Sequence, residues 1–125
     1  MIGYTFDTGA LIALERGKAR MRRVLVAALE ARAPIHVPTV VLTEWWRGQR
    51  ADPRAFLAAF IVEEPSRRVC LAAGEACAAV SGATAVDAIV MASAALRGDV
   101  VYTSDLGDLA ALHQHFTAVA AVLRA

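Results

Sequence analysis

Apolar residues fall along this chain in short blocks, separated by charged or structure-breaking positions. Ile2 to Phe6 reads as a short strand, and Asp7-Thr8-Gly9 then opens an apolar helix from Ala10 to Glu15. A strand that runs into a helix through an Asp-Thr turn is the start of an α/β unit. Between Lys18 and Arg32, Met21, Leu25, Ala28 and Leu29 recur on one helical face, with Arg20, Arg22, Arg23 and Glu30 mostly elsewhere. Pro34 stops that helix. Ile35-His36-Val37 is a short buried strand, and Pro38 suits the first turn of a helix expected from Thr39 to about Gly48.

The second half repeats the alternation. Pro53 starts a short helix to Phe60, Ile61-Val62 can form a brief strand, and Ser66 can cap a helix running to Val80. Gly82 breaks the pattern before a strongly apolar helix from Thr84 to Leu96, which Gly98 closes. Val100 to Thr103 is a continuous apolar run, as a buried parallel strand should be. Asp105 and Asp108 are expected in the turn after it, then a helix from Leu109 to His115 and a last strand from Thr117 to Leu123. Strands alternating with helices predict a small parallel sheet covered on both faces. In such sheets, sites form at the carboxyl ends of the strands.

Composition narrows the class. A chain of 125 residues and 13.2 kDa is one domain, 1–125, with 58% apolar residues and mean hydropathy +0.48, which excludes a disordered protein. Its charge-poor stretches, such as Ala33 to Thr43 and Ala76 to Val86, fall short of the roughly 20 residues of a membrane-spanning helix. Asp7 and Glu15 interrupt the first apolar stretch, so no signal peptide is expected and the expected compartment is the cytosol. Cys70 and Cys77, two helical turns or about 10.5 Å apart, are too far to bridge on one helix. A net charge of +1, from 13 basic and 12 acidic residues, neither demands nor forbids a nucleic-acid partner.

Most of the acids sit among polar residues and read as solvated surface. The exceptions are Asp7 after the first strand, Glu44 in an apolar helix start, Asp87 in the most apolar helix, and Asp105 with Asp108 after the buried strand. Each has an ordinary structural explanation. Asp7 can cap a helix, Glu44 can point to water, and Thr84-x-x-Asp87 fits a capping box. Asp105 and Asp108 can make Asx turns or cap the last helix. Taken together these explanations weaken, because strand ends and helix starts can converge on one rim. Two anions about 5 Å apart repel by roughly 3 kcal/mol at an effective dielectric near 20. No Lys or Arg neighbours Asp7, Asp87 or Asp105 in sequence, so a hard divalent cation is the natural compensation. Phosphodiester hydrolysis is the chemistry such a cluster suits. His36, His113 and His115 lack zinc spacing and read as structural or surface residues; no P-loop, GxGxxG or GxSxG is present.

Four segments carry a family resemblance. Asp7-Thr8-Gly9-Ala10-Leu11-Ile12-Ala13-Leu14-Glu15 resembles the opening of a PIN-domain ribonuclease, and Val37-Pro38-Thr39-Val40-Val41-Leu42-Thr43-Glu44 its second block. Asp87-Ala88-Ile89-Val90-Met91-Ala92 resembles its third, and Val101-Tyr102-Thr103-Ser104-Asp105-Leu106-Gly107-Asp108-Leu109 its fourth. Order, spacing and length are similar to those of the VapC-type toxins of bacterial type II toxin–antitoxin pairs. Only about Ala51 to Gly82 lacks a diagnostic motif, and Gly9 and Trp45-Trp46 are local departures.

The resemblance implies a three-layer α/β/α sandwich with a small, mostly parallel central sheet. It implies a Mg²⁺- or Mn²⁺-dependent endoribonuclease with Asp7, Glu44, Asp87 and Asp105 as the catalytic acids. Asp7, Asp87, Asp105 and, less constantly, Asp108 would hold metal, and Thr8 and Thr103 would orient the carboxylates. It also implies an RNA substrate, a product carrying a 5′-phosphate, a homodimer and a cognate antitoxin. The antitoxin would lay an apolar segment into a groove near the first helices and could send an arginine to the acidic site. Arg16, Lys18, Arg20, Arg22 and Arg23 form one candidate RNA-binding border, and Arg47, Arg50 and Arg54 another; solvated helix faces explain either equally well. One of Trp45 and Trp46 is expected in the core, the other free to stack on a base or cover the core edge. Two alternatives stay open: a DNA-directed nuclease on the same scaffold, and a catalytically silent PIN-like module that binds RNA or protein. A receiver-type phosphoacceptor domain is disfavoured, because Lys18 is the only lysine.

Overall fold

A computed structural model describes residues 1–48 and 52–125. The elements run β1 (Tyr4–Phe6), α1 (Thr8–Glu15), α2 (Ala19–Glu30), β2 (Ile35–Pro38), α3 (Thr39–Trp45) and α4 (Pro53–Leu57). They continue β3 (Ile61–Glu63), α5 (Arg67–Ala79), α6 (Ala85–Arg97), β4 (Val100–Thr103), α7 (Leu106–His115) and β5 (Ala121–Arg124). The sheet is wholly parallel, in the order β3-β2-β1-β4-β5.

That order places a switch at the sheet's centre. The chain moves outward from β1 through β2 to β3, then returns to the other side of β1 for β4 and β5. Right-handed crossovers in opposite directions put helices on opposite faces. The packing agrees: α1 lies against α2 and α3, whereas α6 lies against α5 and α7. The molecule is thus a three-layer α/β/α domain, and the crevice between the carboxyl ends of β1 and β4 is where such sheets bind ligands.

The core fills the space between the layers. Phe6, Val37 and Val101 from the strands meet Leu11, Met21, Val41, Val90, Met91, Leu109 and Leu112 from the helices, all fully buried. Gly98, at φ 71°, ends α6 in the left-handed conformation and turns the chain into β4. Trp45 is buried and stacks on Phe56, while Trp46 is 38% exposed, the division of roles expected of adjacent helical positions. Among the described residues, no helix is long and apolar enough to cross a membrane. Cys70 and Cys77 are free thiols.

Three expectations need correction. The helix after β2 ends at Trp45, not near Gly48, because Trp46 turns to extended backbone. Asp108 lies within the first turn of α7, not in a preceding loop, since Asp105 caps that helix directly. β5 begins at Ala121, as Phe116 to Ala120 forms the turn out of α7.

A buried polar network crosses the sheet under the end of α6. Asp99, 2% exposed, accepts from Arg97 Nε at 2.8 Å and from the Thr5 hydroxyl at 2.8 Å. Arg97 also donates to Thr5 Oγ1 at 3.0 Å and to Glu63 Oε2 at 3.3 Å. His36 lies between the two acids, 3.6 Å from Glu63 and 3.9 Å from Asp99, and burial together with the Arg97 charge lowers its pKa. Asp99 reads in sequence as one more solvated acid. It is buried, and an arginine two residues back across Gly98 makes that possible.

Candidate functional site

Each acid at the sheet's carboxyl edge is positioned by local structure that its own sequence dictates. Asp7 leaves β1 and caps α1, its Oδ1 accepting the Ala10 N–H at 3.0 Å. Asp105 leaves β4 and caps α7, its Oδ1 accepting the Asp108 N–H at 3.4 Å. Thr84 caps α6, accepting the Asp87 N–H at 3.2 Å and so fixing Asp87 in the first turn. The ordinary capping explanations are therefore correct, and they also explain the convergence: the starts of α1, α6 and α7 are gathered at one edge. Their positive helix ends offset part of the carboxylate charge.

Two threonines tie the acids to one another. Thr8 donates to Glu44 Oε1 at 2.8 Å, joining α1 to α3. The fully buried Thr103 hydrogen-bonds Asp7 through its side chain. Its hydroxyl oxygen also accepts the Asp105 N–H at 2.9 Å, which links the ends of β1 and β4.

The electrostatics shows which acids share a neighbourhood. Burial is the main cause that pushes Asp7 up to about 6, and the Asp87 charge adds to it against hydrogen bonds from Thr103, Ala10 and Gly9. Asp87 is raised by burial and then by the charges of Glu44 and Asp105, while its hydrogen bond with Thr84 pulls the other way. Asp108 is raised by its hydrogen bond to Asp105 and the charges of Asp105 and Asp87. Asp87 thus feels or acts on each of the other acids named here. No Lys, Arg or His among the described residues lies within ion-pair distance of any of them.

Among the described residues, no group of three or more His, Cys, Asp or Glu side chains is arranged to hold a metal ion directly. Mg²⁺ keeps several waters and takes only one or two carboxylates directly, leaving the others to hold its water shell. The residues fit such an ion in chemistry, being all oxygen donors whose charges repel.

Of the predicted cationic border, Arg16 lines a cavity beside the acids, and Arg47 is exposed just beyond α3. Arg50 lies outside the described residues. Ser104 was not singled out in sequence. It packs against Gly9 so closely that a Cβ at position 9 would collide with its side chain. A glycine directly after Asp-Thr, opposite a serine between Thr103 and Asp105, was the available signal.

A wholly parallel three-layer α/β/α domain with several acids gathered at its central switch defines a class of protein whose site is acidic and lies at the strand ends. The family model for the PIN domain matches residues 4–112, and the chain belongs to that family. Its fold is similar to that of VapBC2 from Rickettsia felis, solved bound to a promoter DNA fragment (TM-score 0.73, 13% identity, 100% of this chain and 99% of that one). It is also similar to DNA-bound VapBC from Salmonella typhimurium (TM-score 0.67, 16% identity, 88% and 92% covered). A third similar structure is a toxin–antitoxin complex from Klebsiella pneumoniae (TM-score 0.63, 24% identity, 86% and 91% covered). No curated protein matches the sequence.

Proposed function

We propose that this PIN-domain protein is a metal-dependent endoribonuclease and acts as the toxin of a toxin–antitoxin pair. The observation that carries the nuclease reading is the gathering of Asp7, Glu44, Asp87, Asp105 and Asp108 at one edge, near enough for Asp87 to feel the charges of Glu44 and Asp105, and for Asp7 and Asp108 to feel that of Asp87. Asp7, Asp87 and Asp105, with Asp108, would hold Mg²⁺ or Mn²⁺ directly or through water. A divalent ion there supplies positive charge for the leaving oxygen and acidifies a nearby water. Glu44, held by Thr8, would position that water in line with the phosphorus. Thr103 ties the Asp7 carboxyl to the backbone of Asp105, holding the ends of β1 and β4 together.

The toxin role draws support from the VapBC and toxin–antitoxin complexes that share the fold. A cognate antitoxin follows from that role. An apolar groove of about 290 Å³ between Leu14, Trp45, Trp46 and Phe56 supports an apolar antitoxin segment seated near the first helices. A homodimer belongs to the same proposal and is read by sedimentation.

The test is cleavage of labelled RNA and DNA with Mg²⁺ or Mn²⁺. Metal-dependent cutting of RNA alone supports the proposal. Cutting of DNA alone would move the assignment to a deoxyribonuclease on the same scaffold. Metal binding without cleavage of either would leave a silent binding module.

A further inference from the structure

Next to the acids lies a cavity of about 610 Å³, lined by Gly9, Ile12, Arg16, Lys18, Arg20 and Ser104 among others. Its inner wall continues the acidic site. Gly9 follows Asp7 and Thr8, Ser104 separates Thr103 from Asp105, and the two segments touch at the Gly9–Ser104 contact. Its outer wall is cationic. Arg54 and Arg97 hold carboxylates, but Arg16, Lys18 and Arg20 enter no ion pair among the described residues. An acid-lined site repels a polyanion, so a substrate strand needs compensating cations close by but outside the ligand set. This cavity supplies them, its inner wall reaching Gly9, two residues after Asp7, and Ser104, next to Asp105.

We propose that the cavity is a phosphate subsite. It takes the backbone phosphate of a nucleotide flanking the cleaved bond, in single-stranded RNA, with Arg16 and Arg20 as charged donors and the Ser104 hydroxyl at the inner wall. The volume lies in the range of pockets that enclose a small ligand. A single strand can bend one phosphate into such a hollow, whereas a duplex holds its phosphates on a stiff helix. The subsite rests on the nuclease reading above, and the experiment is arranged so that the two can fail separately.

Binding of a fluorescein-labelled single-stranded RNA is followed by anisotropy, with Ca²⁺ replacing Mg²⁺, across about 50 to 200 mM salt. Three chains are compared: wild type, Arg16→Gln/Arg20→Gln, and Arg67→Gln/Arg68→Gln. The last loses the same charge at the exposed start of α5. Arg16, Arg20, Arg67 and Arg68 are all exposed, so the substitutions leave the core untouched. With about 0.7 of slope per phosphate contact on a single strand, the salt slope falls by about 0.7, the one phosphate of the subsite, in the first variant and stays at the wild-type value in the second. In cleavage, the KM of the first variant rises about tenfold while kcat holds. Unchanged affinity and slope in Arg16→Gln/Arg20→Gln, or equal weakening in both variants, overturns the subsite even if wild type cuts RNA. The expected binding pattern without any cleavage keeps the cavity as an RNA site and overturns the nuclease reading instead.

Discussion

Asp99 and Asp7 are both buried aspartates beside the central strands, 2% and 8% exposed, yet among the described residues only Asp99 is paired with a cation. Asp99 is gripped by Arg97 at 2.8 Å and by Thr5, and Glu63 shares the same guanidinium. Asp7 has hydrogen bonds from Ala10 and Thr103 and the charge of Asp87 nearby, but no ion pair among the described residues. Burial is common to both regions; compensation is not. The network under α6 carries its own cation in Arg97, although His36 Nδ1 is buried within it without a hydrogen-bond partner. The acids at the β1–β4 switch have no such cationic partner among the described residues, and in the proposed function a divalent cation would supply it.

This contrast gives a ranked set of expected outcomes. The largest separates activity from stability. Asp87→Asn lowers RNA cleavage by about a thousandfold, the scale of losing a group that fixes transition-state charge, while urea unfolding shows no loss of stability. Cleavage at the wild-type rate would remove Asp87 from the site. Arg97→Met does the reverse. It leaves Asp99 buried without its cation and costs about 3 kcal/mol in urea unfolding. Cleavage per folded molecule stays at the wild-type value.

The next outcome concerns pH in metal-free buffer. A carboxyl whose folded pKa of about 6 exceeds its unfolded value of 3.8 binds its proton more tightly when folded. Its contribution is therefore favourable below that window and is lost as pH rises from about 4 to about 6, by at most about 3 kcal/mol. Asp87 is raised as well and acts in the same direction. Asp7→Asn keeps the α1 cap, removes the charge and flattens this dependence, as thermal melts across that pH range would show. A curve unchanged by the substitution would place the pH dependence elsewhere.

The smallest expected effect is on the hydroxyl that aims Glu44. Thr8→Val removes the 2.8 Å hydrogen bond and lowers kcat about tenfold, because misplacing a positioned group costs less than removing a charge. A kcat equal to wild type would leave Glu44 oriented by other means.

The same two regions explain what could be read from sequence. Asp7, Glu44, Asp87 and Asp105 stand out because each interrupts an apolar run at a strand end or helix start. The alternation of strands and helices gave the layers, although the starts of α7 and β5 and the end of α3 shifted with capping and turn geometry. Asp99 escaped notice because its compensation depends on space. Arg97, Asp99, Thr5 and Glu63 come together only once α6 lies across the sheet, and no local spacing reports that packing. Ser104 escaped for a similar reason, its partner Gly9 being at the other end of the chain.

The central claim is that the switch-point acids share a divalent ion, and calorimetric titration of Mn²⁺ tests it without reference to any substrate. The wild-type chain should bind Mn²⁺, and Asp87→Asn should lose most of that binding while keeping its fold. A wild-type chain that takes up no ion, or an Asp87→Asn chain that binds as the wild type does, would contradict the account.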